Sequence, residues 1–279
     1  MQVKDMLKCF EFWFGPYPFY EDSYKLVETS HLGMEHQSAV AYGNKYLNGY
    51  LGQDISGTGW GKKWDYIIVH ESGHEWFGNN ITANDDADMW IQEGFTCYSE
   101  TLFTECQYGK QAGDEYTQGL RRSIENDKTV IGPYGVNQEG SGDMYNKGNN
   151  IIHTIRQIIN DDSLFRQILR GLNKEFYHKT IDSKDVENYI TQKSGKDFSK
   201  VFDQYLRTIK IPVLEYKTDD KTISYRWANT VDGFSMPVKL TNNTWLQPTG
   251  EWKSIPATDD LKNGLLADKN FYITVKKAE

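Results

Sequence analysis

Residues 63–77 read KWDYIIVHESGHEWF, and this stretch says most about how the chain folds. Its apolar residues recur at helical spacing and predict a buried helix, which Gly78 and the two asparagines after it should end as a C-terminal cap. These apolar residues are Trp64, Ile67, Ile68, Trp76 and Phe77. The helix carries His70 and His74 in the pattern HExxH. Because positions i and i+4 share one face of a helix, both imidazoles can bind one metal ion.

A second helix should begin near Asp86 or Asp88, which are good capping residues, and run to about Gln107. It carries Glu93 in the segment WIQEGF, with 18 residues between Glu93 and His74. A carboxylate at this place can complete a set of two imidazoles and one carboxylate around a metal ion. The residues alone leave an alternative, in which both histidines pack inside a helix and Glu93 lies on a solvated face.

This set of side chains predicts hydrolysis assisted by zinc. Three protein ligands leave a fourth position for water, and zinc lowers the pKa of that water to about 7. Glu71 directly follows the first histidine and can take the proton as the water attacks a carbonyl carbon. We therefore expect one zinc ion per chain, with His70, His74 and Glu93 as ligands and Glu71 as general base and acid.

The composition is that of a folded chain and argues against nucleic acid as a partner. Its 279 residues suffice for one large domain or two modest ones, and 39 acidic against 31 basic residues give a net charge of −8. No stretch has the apolar length of a membrane span, and residues 1–8 lack the layout of a signal peptide. The compartment stays open. Three cysteines without a CxxC pair indicate neither a disulfide framework nor a cysteine metal site.

Hydrophobic periodicity changes along the chain and predicts an α+β fold. Strand-like patterns at 25–29 and 38–42 come before a Gly-rich loop at 43–61, which is long enough to border a site. Helical patterns dominate up to about residue 210, and patterns with a period of two follow it. The later helices are expected near 151–159, 163–176, 184–193 and 198–208, and the later strands at 222–227, 236–240 and 271–275.

Two segments resemble motifs of the zinc-dependent gluzincin aminopeptidases, of the alanyl-aminopeptidase and leukotriene-epoxide-hydrolase type. Residues 70–79, HESGHEWFGN, resemble the family's HExxHxWFGN helix, and WIQEGF resembles its WxxEGF segment. The gap of 18 residues also matches that family. The resemblance implies a thermolysin-like, mainly helical zinc-metallopeptidase catalytic domain at 1–210, followed by a small β-sandwich-like module at 211–279.

Two further segments are similar to motifs of this family. Gly33-Met34-Glu35-His36 matches GxMEN, in which the glutamate binds the free α-amino group of the substrate, so Glu35 takes that role by position. Leu32 and His36 stand where the family usually has Gly and Asn, and this alters the shape of the amino pocket.

The segment YNKG at residues 145–148 is similar to the family's YxKG, whose tyrosine donates a hydrogen bond to the oxyanion. Tyr145 takes this role, because a phenol stays protonated at neutral pH. Glu100 lies two helical turns after Glu93 and could accept a hydrogen bond from a ligand histidine. The remaining histidines, His31, His153 and His178, are expected to be structural or surface residues.

The resemblance implies a zinc metallo-aminopeptidase that hydrolyses the first bond of peptides with a free N-terminus. The family's N-terminal β domain has no counterpart in this sequence, so we expect a fragment of a longer protein, with that missing domain as its partner. Two alternatives remain: an epoxide hydrolase that uses the same zinc site, and a fragment that binds peptides without cleaving them.

Overall fold

The computed structural model describes residues 2–258, 261 and 264–278 and shows a mixture of helices and strands. Its helices are α1 (Gln2–Phe14), α2 (Tyr66–Gly73), α3 (Trp90–Tyr108), α4 (Lys110–Leu120), α5 (Asn146–Ile159), α6 (Asp162–Glu175), α7 (Ser183–Ser194) and α8 (Ser199–Leu206). Its strands are β1 (Leu26–Glu28), β2 (Gly33–Met34), β3 (Val40–Tyr42), β4 (Ile81–Ala83), β5 (Lys179–Ile181), β6 (Val213–Thr218), β7 (Thr222–Ala228), β8 (Val238–Lys239), β9 (Trp245–Leu246), β10 (Lys253–Pro256) and β11 (Thr274–Lys277).

Helix α3 lies at the centre of the helical part. Every residue from Trp90 to Thr104 is buried, and helices α1, α2, α4 and α5 all pack against α3. A helix that is enclosed on all sides presents its polar residues to its neighbours, so its carboxylates and hydroxyls must find partners inside the protein. The interior of the fold therefore places charged side chains of α3 close to side chains of α2 and α4.

Helices α3 and α5 cross with their backbones in contact at Gly94 and Gly148. A Cβ atom built on Gly148 would lie only 2.8 Å from the Cα atom of Gly94. Since real Cβ atoms do not approach another atom this closely, position 148 needs glycine, and a Cβ atom on Gly94 would also be tight, at 3.2 Å from the Cα atom of Gly148. The crossing places Glu93, one residue before the first glycine, near Tyr145, three residues before the second.

Strands β1, β3 and β2 form a small sheet beside α2, in that order. β3 pairs parallel with β1 (Leu26 with Val40) and antiparallel with β2 (Gly33 with Tyr42). β3 is buried at all three positions, as expected for apolar and aromatic side chains in a central strand. Glu35 directly follows β2. The segment that resembles GxMEN therefore lies beside α2, because the sheet packs there.

A four-stranded sheet with the order β10-β7-β6-β11 lies in the C-terminal part of the chain. β6 and β7 form an antiparallel hairpin, and the side chain of Asp219 accepts the N–H groups of Lys221 and Thr222 in its turn. β7 alternates between buried and half-buried residues, which explains why its period-two pattern is visible in the sequence. The last strand, β11, begins three residues later than the pattern at 271–275 indicates.

Two features differ from the sequence-based expectations. Helix α4 is not predicted by hydrophobic periodicity, whereas the structure forms a regular helix from Lys110 to Leu120. The sequence also indicates no disulfide framework, whereas in the structure a disulfide joins Cys9 of α1 to Cys106 of α3, with Cα atoms 6.1 Å apart. Packing of α1 on α3 brings together two cysteines that are distant in the sequence. Cys97 is a buried free thiol.

None of the helices in the described part of the chain is both long and apolar enough to cross a membrane.

Candidate metal centre

Helix α2 positions the two histidines of the HExxH pattern. Its N-cap is Asp65, whose carboxylate accepts the N–H of Ile68 and the hydroxyl of Tyr42. The helix ends at Gly73, and its C-cap His74 still has helical backbone angles (φ −61°, ψ −19°) at the start of the turn over residues 74–76. The predicted helix over 63–77 is therefore shorter at both ends, but both histidines keep their helical spacing.

Both imidazoles are buried and are oriented through Nδ1. His70 donates its Nδ1 proton to Oε1 of Glu100 over 2.7 Å, and His74 donates its Nδ1 proton to the carbonyl oxygen of Phe77 over 2.9 Å. Because Nδ1 of each ring is used in these bonds, Nε2 is the nitrogen left to bind a metal ion. The Thr96 hydroxyl, 3.1 Å from Nδ1 of His74, lies beside the second of these bonds.

The two Nε2 atoms face one carboxylate oxygen. Oε2 of Glu93, near the start of α3, lies 3.5 Å from Nε2 of His70 and 3.3 Å from Nε2 of His74. This oxygen is buried and has no hydrogen-bond donor among the described residues. The three possible ligand atoms lie within 4.8 Å of one another, so they converge on a space suited to one metal ion. Two imidazole nitrogens and a carboxylate are a donor set that suits zinc.

Glu71 and Glu35 lie beside this set. One oxygen of each carboxylate and a ring nitrogen of His74 are also within 4.8 Å of one another. The carboxylate of Glu71 packs against Gly33 of β2, where there is no room for a side chain. A Cβ atom at Gly33 would lie 2.6 Å from Oε1 of Glu71. The backbone carbonyl of Glu35 accepts the side-chain N–H of Asn79 over 2.8 Å, which ties this segment to the turn after α2.

Burial and neighbouring charges set the protonation of the carboxylates. Burial raises the pKa of Glu71, and the charges of Glu35 and Glu93 add to this, while both imidazoles oppose it. Burial also opposes the ionisation of Glu93, but the imidazoles of His74 and His70 outweigh it and hold its pKa well below the usual range. Glu93 is thus suited to stay charged, and the raised pKa makes the carboxylate of Glu71 a better proton acceptor than an exposed one.

Tyr145 completes the group on the side of α5. Its ring lies 6.0 Å from the ring of His70, with an angle of 27° between the planes. Burial and the charge of Glu93 raise its pKa well above the usual range, so its hydroxyl stays a donor.

Other predicted residues lie further out. Met34 pairs with Ala41 in the sheet and is 37% exposed, and the side chain of His36 is exposed as well. His36 is not among the grouped side chains that could hold a metal ion. His31 and His178 are exposed, whereas His153 is fully buried and contacts Tyr98.

The structure adds contacts that the motifs did not single out. Tyr66, one helical turn before His70, stacks on its ring, and that i, i+4 spacing is a signal the sequence does contain. Tyr116 contacts Glu100 from α4, a helix that the sequence pattern did not indicate, so no signal pointed to it.

A cavity of about 1060 Å³ lies next to segment 14–22 and the end of α6, with Arg170, Tyr177 and His178 among its lining residues. None of the predicted site residues lines this cavity, so the chemistry of the side chains, rather than cavity size, identifies the site.

Comparisons with known proteins agree with this geometry. The Peptidase family M1 domain matches residues 2–205. Aminopeptidase N of Lactococcus lactis is 26% identical over 227 residues, which are 74% of this chain and 27% of that protein. Alanine/arginine aminopeptidase of Saccharomyces cerevisiae is 25% identical over 219 residues, which are 71% of this chain and 26% of that protein. The chain thus spans roughly a quarter of the length of these relatives.

Among solved structures, an M1 zinc metallopeptidase from Deinococcus radiodurans aligns with a TM-score of 0.59 at 20% identity, over 74% of this chain and 44% of that one. At this identity the likeness is one of fold. Because the family match spans the part of the chain that holds the buried histidines and Glu93, the chain belongs to peptidase family M1.

Proposed function

We propose that this chain is the catalytic part of a zinc-dependent aminopeptidase. The observation that carries the proposal is the convergence of two Nε2 atoms and the unpartnered Oε2 of Glu93, with two further carboxylates beside them. The relatives named aminopeptidases support the same activity. In this proposal His70, His74 and Glu93 hold one zinc ion, which would supply Lewis-acid activation of a water molecule.

Glu71 accepts the proton of the attacking water in the proposed reaction. Its buried carboxylate has a raised pKa, and it lies beside the proposed ligands rather than among them. The same group can then give this proton to the leaving amine, because the carboxyl that took up the proton lies beside the reacting groups. The space around Gly33 sets where this carboxylate rests.

Glu35 is the proposed anchor for the substrate's free α-ammonium group. A carboxylate at this distance from Glu71 and His74 can form a charge-assisted hydrogen bond with an ammonium group close to the metal. Fixing that end of the peptide brings the first peptide bond to the reacting groups and excludes internal bonds. Gly33, Met34 and His36 would shape the adjoining pocket, with Met34 and His36 at its exposed edge.

Tyr145 is the proposed donor to the oxyanion. Its raised pKa keeps the hydroxyl protonated where negative charge develops on the carbonyl oxygen.

We also propose that residues 1–210 form a thermolysin-like catalytic domain and residues 211–279 a small β-sandwich-like module. The helices end at Leu206 and the four-stranded sheet begins at Val213, which supports this boundary.

The test combines metal analysis with an exopeptidase assay on the purified chain. We expect about one zinc per chain, and chelator-sensitive release of the chromophore from aminoacyl p-nitroanilides. Acetylating the substrate's amino group should abolish cleavage. Glu35→Gln should raise KM for the free amine by at least about tenfold, because a charge-assisted hydrogen bond contributes about 1.5–3 kcal/mol.

Glu28→Gln is a matched control, since Glu28 is an exposed carboxylate on β1, the far edge strand of the same sheet, and the KM of this variant should not change. A folded chain that takes up no zinc would overturn the proposal. Zinc uptake with peptide binding but no turnover would indicate a binding fragment, and turnover of a lipid epoxide alone would indicate an epoxide hydrolase.

A further inference from the structure

Glu100 is a fully buried carboxylate in contact with one of the proposed metal ligands. It lies on α3, and its Oε1 accepts the Nδ1 proton of His70 over 2.7 Å. In the described part of the chain, His70 is also its only ion-pair partner, with no lysine or arginine beside it. A buried carboxylate is costly unless its oxygens receive hydrogen bonds. The neutral donors around Glu100 therefore decide how firmly it is held against His70.

Tyr116 provides the strongest of these donors. Its hydroxyl donates to Oε2 of Glu100 over 2.5 Å, and the residue is completely buried. The ring packs against Trp64, with 5.4 Å between ring centroids. Nearby, the hydroxyls of Thr101 and Thr117 are 2.7 Å apart and join α3 to α4. Packing thus holds the ring of Tyr116 in place, and its hydroxyl is the group that contacts Glu100 beside the proposed metal centre.

Tyr66 approaches the same hydrogen bond from α2. Its ring stacks on His70 at 5.1 Å with 15° between the planes, and its hydroxyl lies 3.2 Å from Nδ1 of His70. Because the Nδ1 proton goes to Glu100, Nδ1 has no lone pair left to accept the hydroxyl proton. The hydroxyl of Tyr66 therefore lies beside the hydrogen bond between His70 and Glu100, and its ring holds the imidazole from one face.

We infer that Tyr116 and Tyr66 are positioning residues for the zinc site, an inference that rests on the proposed function. Together they hold the Glu100 carboxylate against Nδ1 of His70, and this keeps Nε2 directed at Glu93. Removing the hydroxyl of Tyr116 leaves Oε2 of Glu100 without its donor, and removing the hydroxyl of Tyr66 takes away the group beside the bond between Nδ1 and Glu100. In either case the carboxylate and the imidazole lose part of what fixes their orientation. Zinc affinity should fall, since partners that orient ligand histidines typically change metal affinity by about 10–100-fold.

The experiment measures zinc affinity of the whole chain by competition with a chromophoric chelator. Tyr116→Phe removes one hydroxyl and keeps the ring, and we expect about tenfold weaker zinc binding. Tyr98→Phe is the matched control, because Tyr98 is also a fully buried tyrosine of the helical core whose hydroxyl contacts a histidine, the non-ligand His153. Its zinc affinity should equal that of the wild type.

Two further readouts separate positioning from stability. The melting temperature of the zinc-free proteins reports the structural cost of each lost hydroxyl, and the visible spectrum of the cobalt-loaded proteins reports the ligand geometry. We expect the cobalt spectrum to change in Tyr116→Phe and not in Tyr98→Phe, even if both variants lose similar stability.

The outcomes are distinct. Wild-type zinc affinity in Tyr116→Phe, or an equal loss in both variants, would overturn the inference while the proposed function stands. A wild-type chain that binds no zinc would overturn the proposed function itself. If Tyr116→Phe does not fold, Tyr66→Phe takes its place, and unchanged zinc affinity in that variant would likewise refute the inference.

Discussion

The disulfide between Cys9 and Cys106 should supply a large part of the stability of this chain. Its cysteines are 97 positions apart, and α1 has no other covalent tie to α3 than this bond and the chain itself. A cross-link restricts the unfolded chain more strongly as the closed loop becomes longer. For a loop of this length the chain-entropy relation gives about 4.7 kcal/mol at 25 °C. This is a substantial share of the roughly 5–15 kcal/mol that stabilises a typical domain.

Cys106→Ser should therefore lower the free energy of unfolding by about 3–5 kcal/mol in urea titrations under non-reducing conditions. Cys97→Ser is the matched control, because Cys97 is a buried thiol of the same helix outside any disulfide. It should cost about 1–2 kcal/mol, through the loss of packing alone. Thiol titration of the denatured, unreduced wild type should find one free thiol. Three free thiols, or an unchanged urea midpoint in Cys106→Ser, would refute the reasoning.

Three further predictions concern the site and its surroundings. Gly33→Ala places a methyl group 2.6 Å from Oε1 of Glu71, so kcat should fall by about 100-fold while zinc content stays constant; unchanged kcat would contradict the role of Glu71. Burial lowers the pKa of Lys147 to about 8, from 10.5. The cost of its buried charge is then fully present below pH 8 and disappears between pH 8 and 10.5, so Lys147→Met should raise stability by about 3 kcal/mol at pH 7 and by little at pH 10. A gain independent of pH would contradict this. Zinc at about 100 times its Kd should raise the melting temperature by about 4–5 °C, and His74→Ala should remove that shift; scanning calorimetry with and without chelator checks both.

The metal site could be predicted from the sequence because its first half is local. His70 and His74 lie four residues apart on one helix, and helical geometry alone places them on one face. Glu93 comes from another helix, and periodicity could show only that it lies on a helix, not where that helix packs. The spacing of the family motif supplied this information. The same holds for Glu35 and Tyr145, whose proposed roles depend on contacts across the fold.

Helix α4 could not be predicted, for a reason that lies in its packing. Its glycines lower helix propensity and weaken the hydrophobic pattern. The structure shows why they are present: a Cβ atom at Gly113 would lie 3.0 Å from the carbonyl oxygen of Thr101, and one at Gly119 would collide with that of Ser56. The glycines that allow α4 to pack closely thus hide its helical pattern in the sequence. For the same reason the contact between Tyr116 and Glu100 could not be predicted.

The contact between Gly94 and Gly148 contains no side chain, and this affects how the site can change over evolution or in engineering. Elsewhere in the interior, one side-chain shape can be exchanged for another if the neighbours adjust. Two backbones in direct contact have nothing to adjust. The spacing between Glu93 and Tyr145 is therefore independent of the composition of the core, and mutations that loosen the core will lower stability long before they alter this spacing. A methyl group added at the contact between Gly94 and Gly148 has the reverse effect. It pushes the two backbones apart and so changes the distance between Glu93 and Tyr145, while the rest of the core stays well packed.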